Sequence, residues 1–416
     1  MKSDIDSLMQ SKNLNAILVI GNAEHNPPMS YLTGGGHISS AALIKKRGEP
    51  AVLFHQDMER DEAVKTGLQT RSYSNYPYKE LLEQANGDPS LAAAIRLQRM
   101  LADLGLTHGR IGLYGHSDVS STLAVCEHLR RTMPDLEVAG ESSENSLFMH
   151  AMETKDEVEV KRIRKMGKIT TEVVGRVAEY LTSREVHDNE VLIKEDGAPL
   201  AVADIKAKIN LWLAELGTEN PEGTIFSIGG DTGVPHSTGN PEDLLRLGQT
   251  IILDIFPCEA GGGYFYDFTR TWCLGYAPEG AQELYDDVRE AYDLVIKNLN
   301  LNISFKNYQR MVCEFFESKG HQSPLNTQNP IEGYVHSLGH GVGLNVHERP
   351  WSELIMADDN ILKPNAVFAI EPGLYYPEQG MGVRIEDTVW VRPDGGVEIL
   401  VDYPYDFVLN MKKWRR

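Results

Sequence analysis

Three histidines stand within the twelve residues that open His336-Ser-Leu-Gly-His340 and close on Val346-His347, spaced by glycines that let backbone and side chains crowd together. His236 follows a proline farther upstream. Four carboxylates sit in apolar, strand-like settings: Asp254 after Thr250-Ile-Ile-Leu, Asp267 in Tyr-Asp267-Phe-Thr-Arg-Thr, Glu371 in Ala-Ile-Glu371-Pro-Gly and Glu386 in Val-Arg-Ile-Glu386-Asp. Ionised carboxylates brought together repel, and one takes up a proton unless a cation lies between them. Carboxylates with one imidazole suit hard or borderline divalent ions such as Mn, Mg, Co or Zn. The lack of ligand cysteines weighs against a structural zinc site. Two such ions would roughly balance four carboxylates, lower the pKa of a shared water and polarise a carbonyl, so the expected chemistry is hydrolysis. Only one histidine need bind metal; the others can hydrogen-bond an oxyanion or grip a substrate carbonyl.

Paired strands would hold these groups. Residues 250–256 and 264–273 read as strands joined by turn-forming residues 257–263. With the hairpin centred on Ala260-Gly261, Asp254 and Asp267 are directly opposed, about 5 Å apart on one face. A turn over residues 377–380 places Glu371 opposite Glu386, with Arg384 two residues away on the same face. Solvated aspartates would explain the first hairpin alone, and a surface Arg–Glu pair the second. Both hairpins beside the histidine segment make a constellation instead.

The rest of the chain supplies the frame. At 416 residues two domains are expected. Strands at 15–20, 41–44, 51–54, 110–114 and 136–139 alternate with helices at 57–65, 91–104 and 120–131, which predicts an α/β domain over residues 1–150. Gly34-Gly-Gly36 reads as a plain loop, and His25, His37 and His55 as structural histidines. Thr154-Lys-Asp-Glu157 reads as a capping box. It would open a long helix with Val160, Ile163, Met166, Ile169, Val173, Val177 and Leu181 on one stripe. Helices at 204–216, 282–299 and 305–319 with interspersed strands make residues 151–416 an α+β domain. The net charge of −20 lacks the basic footprint of a nucleic-acid partner. No apolar run reaches membrane-spanning length. The start lacks a signal peptide's pattern, and Cys126, Cys258, Cys273 and Cys313 stand far apart, as expected of reduced thiols in a cytoplasmic protein.

These residues together resemble the pita-bread metallopeptidases, in the Xaa-Pro aminopeptidase and Xaa-Pro dipeptidase (prolidase) branch. The resemblance is carried by Pro-His236, Asp254, Asp267-x-Thr-Arg-Thr, His336-x3-His340-Gly-x-Gly-x3-His347-Glu, Glu371-Pro-Gly and Arg384-x-Glu386. It is strong over residues 154–402 and weaker but collinear over the first 150, which are similar to the creatinase-type N-terminal domain. It implies an α+β pita-bread catalytic domain behind a smaller α/β domain, and two divalent ions, manganese first, with Co, Zn or Mg as options. Asp254 would chelate one ion, Asp267 and Glu386 bridge the two, and His340 and Glu371 complete the second. A bridging hydroxide would attack the peptide carbonyl while Glu371 handles its proton. His347 and His236 would stabilise the tetrahedral intermediate, His336 would line the proline pocket, and Arg384 would pair with the ligand shell or orient substrate. The implied substrates are short peptides with proline second, and the implied assembly is a homodimer.

One departure is visible. The family spaces the two aspartates more tightly and often has glycine two residues after the first, where this chain has Phe256. The longer hairpin adds one residue to each strand, which preserves side-chain parity, so the metal site is expected to survive. Two other readings are a metal-free creatinase-type hydrolase and a non-catalytic binding protein on the same fold. Both predict lost ligands, and here all five are present.

Overall fold

The computed structural model describes residues 4–413 and divides into two compact units, Met1–Met152 with Gly261–Gly263, and Glu153–Ala260 with Tyr264–Arg416. The first unit carries a six-stranded mixed sheet. Its strands are β1 (Ala16–Gly21), β2 (Ala41–Lys46), β3 (Val52–His55), β4 (Gln69–Ser72), β5 (Gly109–Gly115) and β6 (Leu136–Ala139), in the order β4-β3-β2-β1-β5-β6. The β2–β3 hairpin forms as the sequence predicts. The two long helices α1 (Pro89–Asp103) and α2 (Val119–Thr132) each start at an aspartate, Asp88 or Asp118, whose side chain accepts from first-turn amides. Short helices at Ile5–Ser11, Pro27–Thr33, Tyr78–Gln84 and Leu147–Met152 were not legible in the sequence.

The second unit opens with α3 (Glu157–Thr182), whose buried stripe includes Val160, Ile163, Met166, Val173, Val177 and Leu181. The capping box lies two residues later than the expected Thr154–Glu157. The Asp156 carboxylate accepts from the amides of Val158 and Glu159, and the Asp156 amide donates to Glu159 Oε2. The backbone stays extended until then, because Thr154 bridges Ala366 and the Lys155 amide donates to the Asn365 carbonyl. Helix α4 (Val202–Glu215) follows, stopped by Gly217 in the left-handed region at φ 73°.

Strands β7 (Thr224–Ile228), β8 (Thr250–Ile255), β9 (Phe268–Leu274) and, after the helices, β17 (Val408–Leu409) form one sheet in the order β7-β8-β9-β17. A second sheet, ordered β11-β10-β12-β15-β16, contains β10 (His340–Gly341), β11 (Glu348–Trp351), β12 (Val367–Ile370), β15 (Asp387–Val391) and β16 (Val397–Ile399). The ribbon of β13 (Gly373–Tyr376) and β14 (Met381–Arg384) continues the β12–β15 pair past its end. Helices α5 (Ala281–Asn298) and α6 (Phe305–Ser318) bury Leu284, Val288, Tyr292, Val312 and Phe316 in one core with Phe368, Ile370, Leu374, Val383 and Val389 of the strands. Burying apolar side chains at roughly 1.5–3 kcal/mol each makes this core the platform on which the strand ends are fixed.

Register decides where the carboxylates point. Across β8 and β9, Asp254 pairs with Thr269, not with Asp267. The expected direct opposition is therefore wrong by two residues. The turn falls at Gly261 and Gly262, whose φ of +84° and +73° provide the two successive positive-φ residues of a tight hairpin turn. Cys258–Glu259 meanwhile pairs outward with Thr218–Glu219, so the first strand is shared between two partners. An even shift keeps side-chain parity, so Asp254 and Asp267 still face the same side. In the second ribbon Ile370 pairs with Asp387 and Gly373 with Arg384, which sets Glu371 opposite Glu386 as the sequence predicts.

Candidate metal centre and its cavity

A bridge between Thr269 and Glu386 joins the two hairpins edge to edge. Asp254, Thr269, Glu386 and Glu371 therefore run as one row across four extended segments. Asp267 lies two residues from Thr269 on the same side, and His340 enters from β10, which pairs with β12. The carboxyl-bearing ends of these strands open into a cavity of about 460 Å³. All nine residues that the sequence singles out line it: His236, Asp254, Asp267, His336, His340, His347, Glu371, Arg384 and Glu386.

Asp254, Asp267, His340 and Glu386 are all buried. His340 donates from Nδ1 to the Gly341 carbonyl at 3.1 Å, which leaves the Nε2 lone pair turned inward. That nitrogen lies 3.7 Å from Asp267 Oδ2 and 3.5 Å from Glu371 Oε1. Donor atoms of Asp267, His340 and Glu386 all lie within 4.8 Å of one another. Glu386 accepts from the Thr269 hydroxyl at 2.7 Å through Oε2. Asp254 accepts from Arg384 Nη2 at 2.6 Å through Oδ2. The remaining oxygens, Asp254 Oδ1, Asp267 Oδ1 and Glu386 Oε1, are buried without a hydrogen-bond partner.

An orphaned buried carboxylate oxygen is costly, and three in one cavity demand compensation. Burial and the neighbouring carboxylates push Asp267 and Glu386 well above the ordinary range. Glu371 is pushed up to about 8 by burial, against the lowering effect of Arg384 and with Asp254 adding to the rise. Burial pushes His336 and His340 down to about 3, so both rings are neutral and able to serve as acceptors or ligands. Acidic oxygens, one inward imidazole lone pair and the orphaned atoms fit divalent cations.

Histidines at the cavity do different work. His336 donates from Nδ1 to the Ser337 carbonyl at 2.7 Å, so its Nε2 accepts from the Tyr375 hydroxyl at 2.8 Å. Tyr375 in turn accepts from Arg384 Nη1 at 2.8 Å. Asp254, Arg384, Tyr375 and His336 thus form one chain of hydrogen bonds, charge-assisted where Arg384 donates to Asp254 and Tyr375. His347 and His236 are exposed at the wall of the cavity, the ring of His347 lying 4.3 Å from that of His340.

The glycines of the histidine segment serve the sheet more than a ligand. A Cβ on Gly339 would stand 2.0 Å from the Ala369 carbonyl oxygen, and one on Gly341 1.9 Å from that of Arg349. The loop to His347 is stapled by Glu348. Its carboxylate accepts from Lys155 Nζ at 2.8 Å and from the Asn345 amide at 3.0 Å, with Lys155 and Glu348 both buried.

Sequence reasoning gave no role to Tyr375, to Thr269 within its quoted motif, or to the Lys155–Glu348 pair. Parity along the strands would have flagged two of them: Thr269 is two residues from Asp267, and Tyr375 is four from Glu371 on the same side. The pairing of Lys155 with Glu348, 193 residues on, has no local signal.

A model of metallopeptidase family M24 matches residues 161–393. The chain is 28% identical to an Xaa-Pro dipeptidase of Pyrococcus furiosus over 59% of its own length and 62% of that protein's. It is 25% identical to an Xaa-Pro dipeptidase of Pyrococcus horikoshii over 94% of both chains. The crystal structure of an X-Pro aminopeptidase from Thermotoga maritima superposes with a TM-score of 0.72 at 22% identity, covering 95% of this chain and 97% of that one. Among the described residues no helix is long and apolar enough to cross a membrane.

Proposed function

The chain belongs to metallopeptidase family M24, with an α+β pita-bread catalytic unit, and from that premise we propose that it hydrolyses the bond between an N-terminal residue and proline. The observation that carries the reading is the set of three orphaned carboxylate oxygens, on Asp254, Asp267 and Glu386, facing one cavity with His340 Nε2. The names of the Pyrococcus and Thermotoga relatives support proline as the residue after the cut.

Asp254, Asp267, His340, Glu371 and Glu386 would hold two divalent ions, manganese first among Mn, Co, Zn and Mg. When bound, such a pair supplies an activated water and polarises the scissile carbonyl. The chain's own residues do the rest. Thr269 fixes Glu386 through a 2.7 Å hydrogen bond, and Arg384 fixes Asp254, so that the free oxygens stay turned to the cavity. Glu371 carries a proton from the attacking water to the departing proline nitrogen. His236 and His347 hydrogen-bond the carbonyl oxygen as negative charge develops on it. His336, held neutral with Nε2 engaged by Tyr375, walls the space for the proline ring. Two copies of the chain, in the cytoplasm, complete this reading.

The test uses chelator-stripped protein with and without added Mn, and product analysis by mass spectrometry on Ala-Pro and Ala-Pro-Ala-Ala. Metal-dependent release of Ala from either peptide is expected. Metal uptake without cleavage of either would overturn the proline assignment while leaving the metal centre standing.

A further inference from the structure

Residues 334–339, which lead into β10, run as irregular chain with Tyr334 and Leu338 fully covered. Backbone amides and carbonyls in such a stretch lack ladder partners and must be met by other groups. Gln309 of α6 meets two of them. Its Oε1 accepts from the Leu338 amide at 2.5 Å, and its Nε2 donates to the His336 carbonyl at 3.3 Å. A peptide N–H can only donate and a carbonyl can only accept, so the two ends of the side-chain amide are fixed by their neighbours. The hydroxyls of Tyr334 and Ser352 donate to the same Oε1 at 3.3 and 3.4 Å. Ser352 Oγ in turn accepts from the Gly339 amide at 2.9 Å. Gln309 is 2% exposed on a helix face it shares with Phe305, Val312 and Phe316, and it does not line the cavity. A buried amide on an apolar face is costly unless hydrogen-bonded, and here its bonds converge on the histidine segment.

The two backbone bonds of Gln309 fall on either side of Ser337, whose carbonyl takes the Nδ1 proton of His336 at 2.7 Å. Holding that carbonyl in place fixes which ring nitrogen bears the proton, and so presents Nε2 as the acceptor for Tyr375. The Tyr334 ring, whose hydroxyl donates to Gln309, packs edge-on against the His336 ring with centroids 5.7 Å apart. The Leu338 carbonyl accepts from the Glu371 amide at 2.8 Å, which seats the clamped stretch against the end of β12. His340 depends less on the clamp, because β10 is held by its own pairing with β11 and β12. Resting on the reading above, in which His336 walls the space for the proline ring, we propose that Gln309 is a positioning residue. From behind the cavity wall it sets the pose of His336, and with it the fit of proline.

The experiment measures KM and kcat of the metal-reconstituted full chain on Ala-Pro and Ala-Pro-Ala-Ala, with Mn uptake followed by titration calorimetry. Gln309→Met keeps the length of the side chain and removes both polar ends. KM should rise on the order of tenfold, the ratio that one or two lost hydrogen bonds give, while kcat and Mn uptake stay within about twofold. Gln309→Glu restores an acceptor oxygen in the same shape and should fall between the parent and Gln309→Met. If the Met variant does not fold, the Glu variant carries the comparison. The deciding step is a His336→Ala background, in which the Gln309 substitution should add nothing further to KM, because the group it acts through is gone. A glutamine that only docks α6 would lower the urea midpoint and leave KM unchanged in both backgrounds, and that result overturns the inference. So does an equal rise in KM with and without the His336 ring. In both cases the hydrolytic reading stands. A parent chain that takes up Mn and cuts neither peptide overturns the proline reading and this inference with it.

Discussion

Across β8 and β9, Asp254 faces Thr269 and meets Asp267 only diagonally, whereas Glu371 and Glu386 stand opposite one another where the β12–β15 ladder hands over to β13–β14. The second ribbon is closed by a single turn at Pro377–Gln379 with Gly380 left-handed, so its length fixes its register. The first turns at Gly261–Gly262 and keeps one register from Asp254–Thr269 to Cys258–Phe265, while Cys258–Glu259 also pairs with Thr218–Glu219. Both deliver their carboxylates to one cavity, because a metal centre needs side-chain parity and tolerates an even slip. Two reciprocal ion pairs then lock the hairpins together. Arg270 of the first reaches Asp387 of the second at 2.9 Å on the core face, and Arg384 of the second reaches Asp254 of the first at 2.6 Å on the cavity face.

The two pairs differ in what else they touch. Arg270 also donates to the carbonyls of Thr269, Glu386, Tyr403 and Pro404, and Asp387 accepts from the hydroxyls of Tyr292 and Tyr405. This network is satisfied without any ligand. Arg270→Met leaves Asp387 buried and uncompensated and should cost about 3–5 kcal/mol of stability, read from the urea midpoint. The Arg384–Asp254 pair instead borders the orphaned Asp254 Oδ1. Arg384→Met should weaken metal affinity or kcat/KM by about 10–100-fold, the range for residues that orient ligands, with a smaller stability loss in the metal-loaded protein. Titration calorimetry with Mn and a urea series on both variants would separate them. Equal stability losses would erase the distinction between a core pair and a site pair.

These pairs also mark how far the sequence could be read. The long helices and the main strands were legible from local periodicity, the four short helices of the first unit were not, and the carboxylates stood out because acidic residues rarely interrupt apolar strands. The second register was legible because a short turn leaves one solution. The first was not, since three consecutive glycines at 261–263 let the turn fall at more than one place, and it falls at Gly261–Gly262. Arg384 was visible as a neighbour of Glu386, yet its partner is Asp254, 130 residues earlier. Tyr375 was hidden because a tyrosine in an apolar strand looks like core, and only the fold places its hydroxyl between Arg384 and His336.

Tyr375 offers a finer probe of the cavity-face pair. Tyr375→Phe keeps the ring and deletes the hydroxyl, so Arg384 Nη1 and His336 Nε2 lose a common partner while the Asp254 contact survives. Each such hydrogen bond is worth about 0.5–1.5 kcal/mol, and kcat/KM should fall by that much, with Mn affinity nearly unchanged. A loss as large as that of Arg384→Met would mean that Tyr375, rather than the arginine, holds Asp254 in place.

The smallest effect is expected away from both hairpins and serves as their control. On α5, burial would raise the Asp287 carboxyl, but hydrogen bonds from Lys319 and His321 outweigh it and hold the group below its ordinary value. A carboxylate whose pKa is lower folded than unfolded binds fewer protons in the native state, so stability rises with pH through that window. Its contribution is complete above the unfolded value of about 3.9 and disappears as pH falls through the folded one. Asp287→Asn should therefore lower the urea midpoint at pH 6, converge on the parent in acid, and leave metal binding and turnover untouched. If the Asn variant also lost Mn affinity, the helix layer and the strand ends would be coupled. The contrast between core face and cavity face would then no longer be confined to the two hairpins.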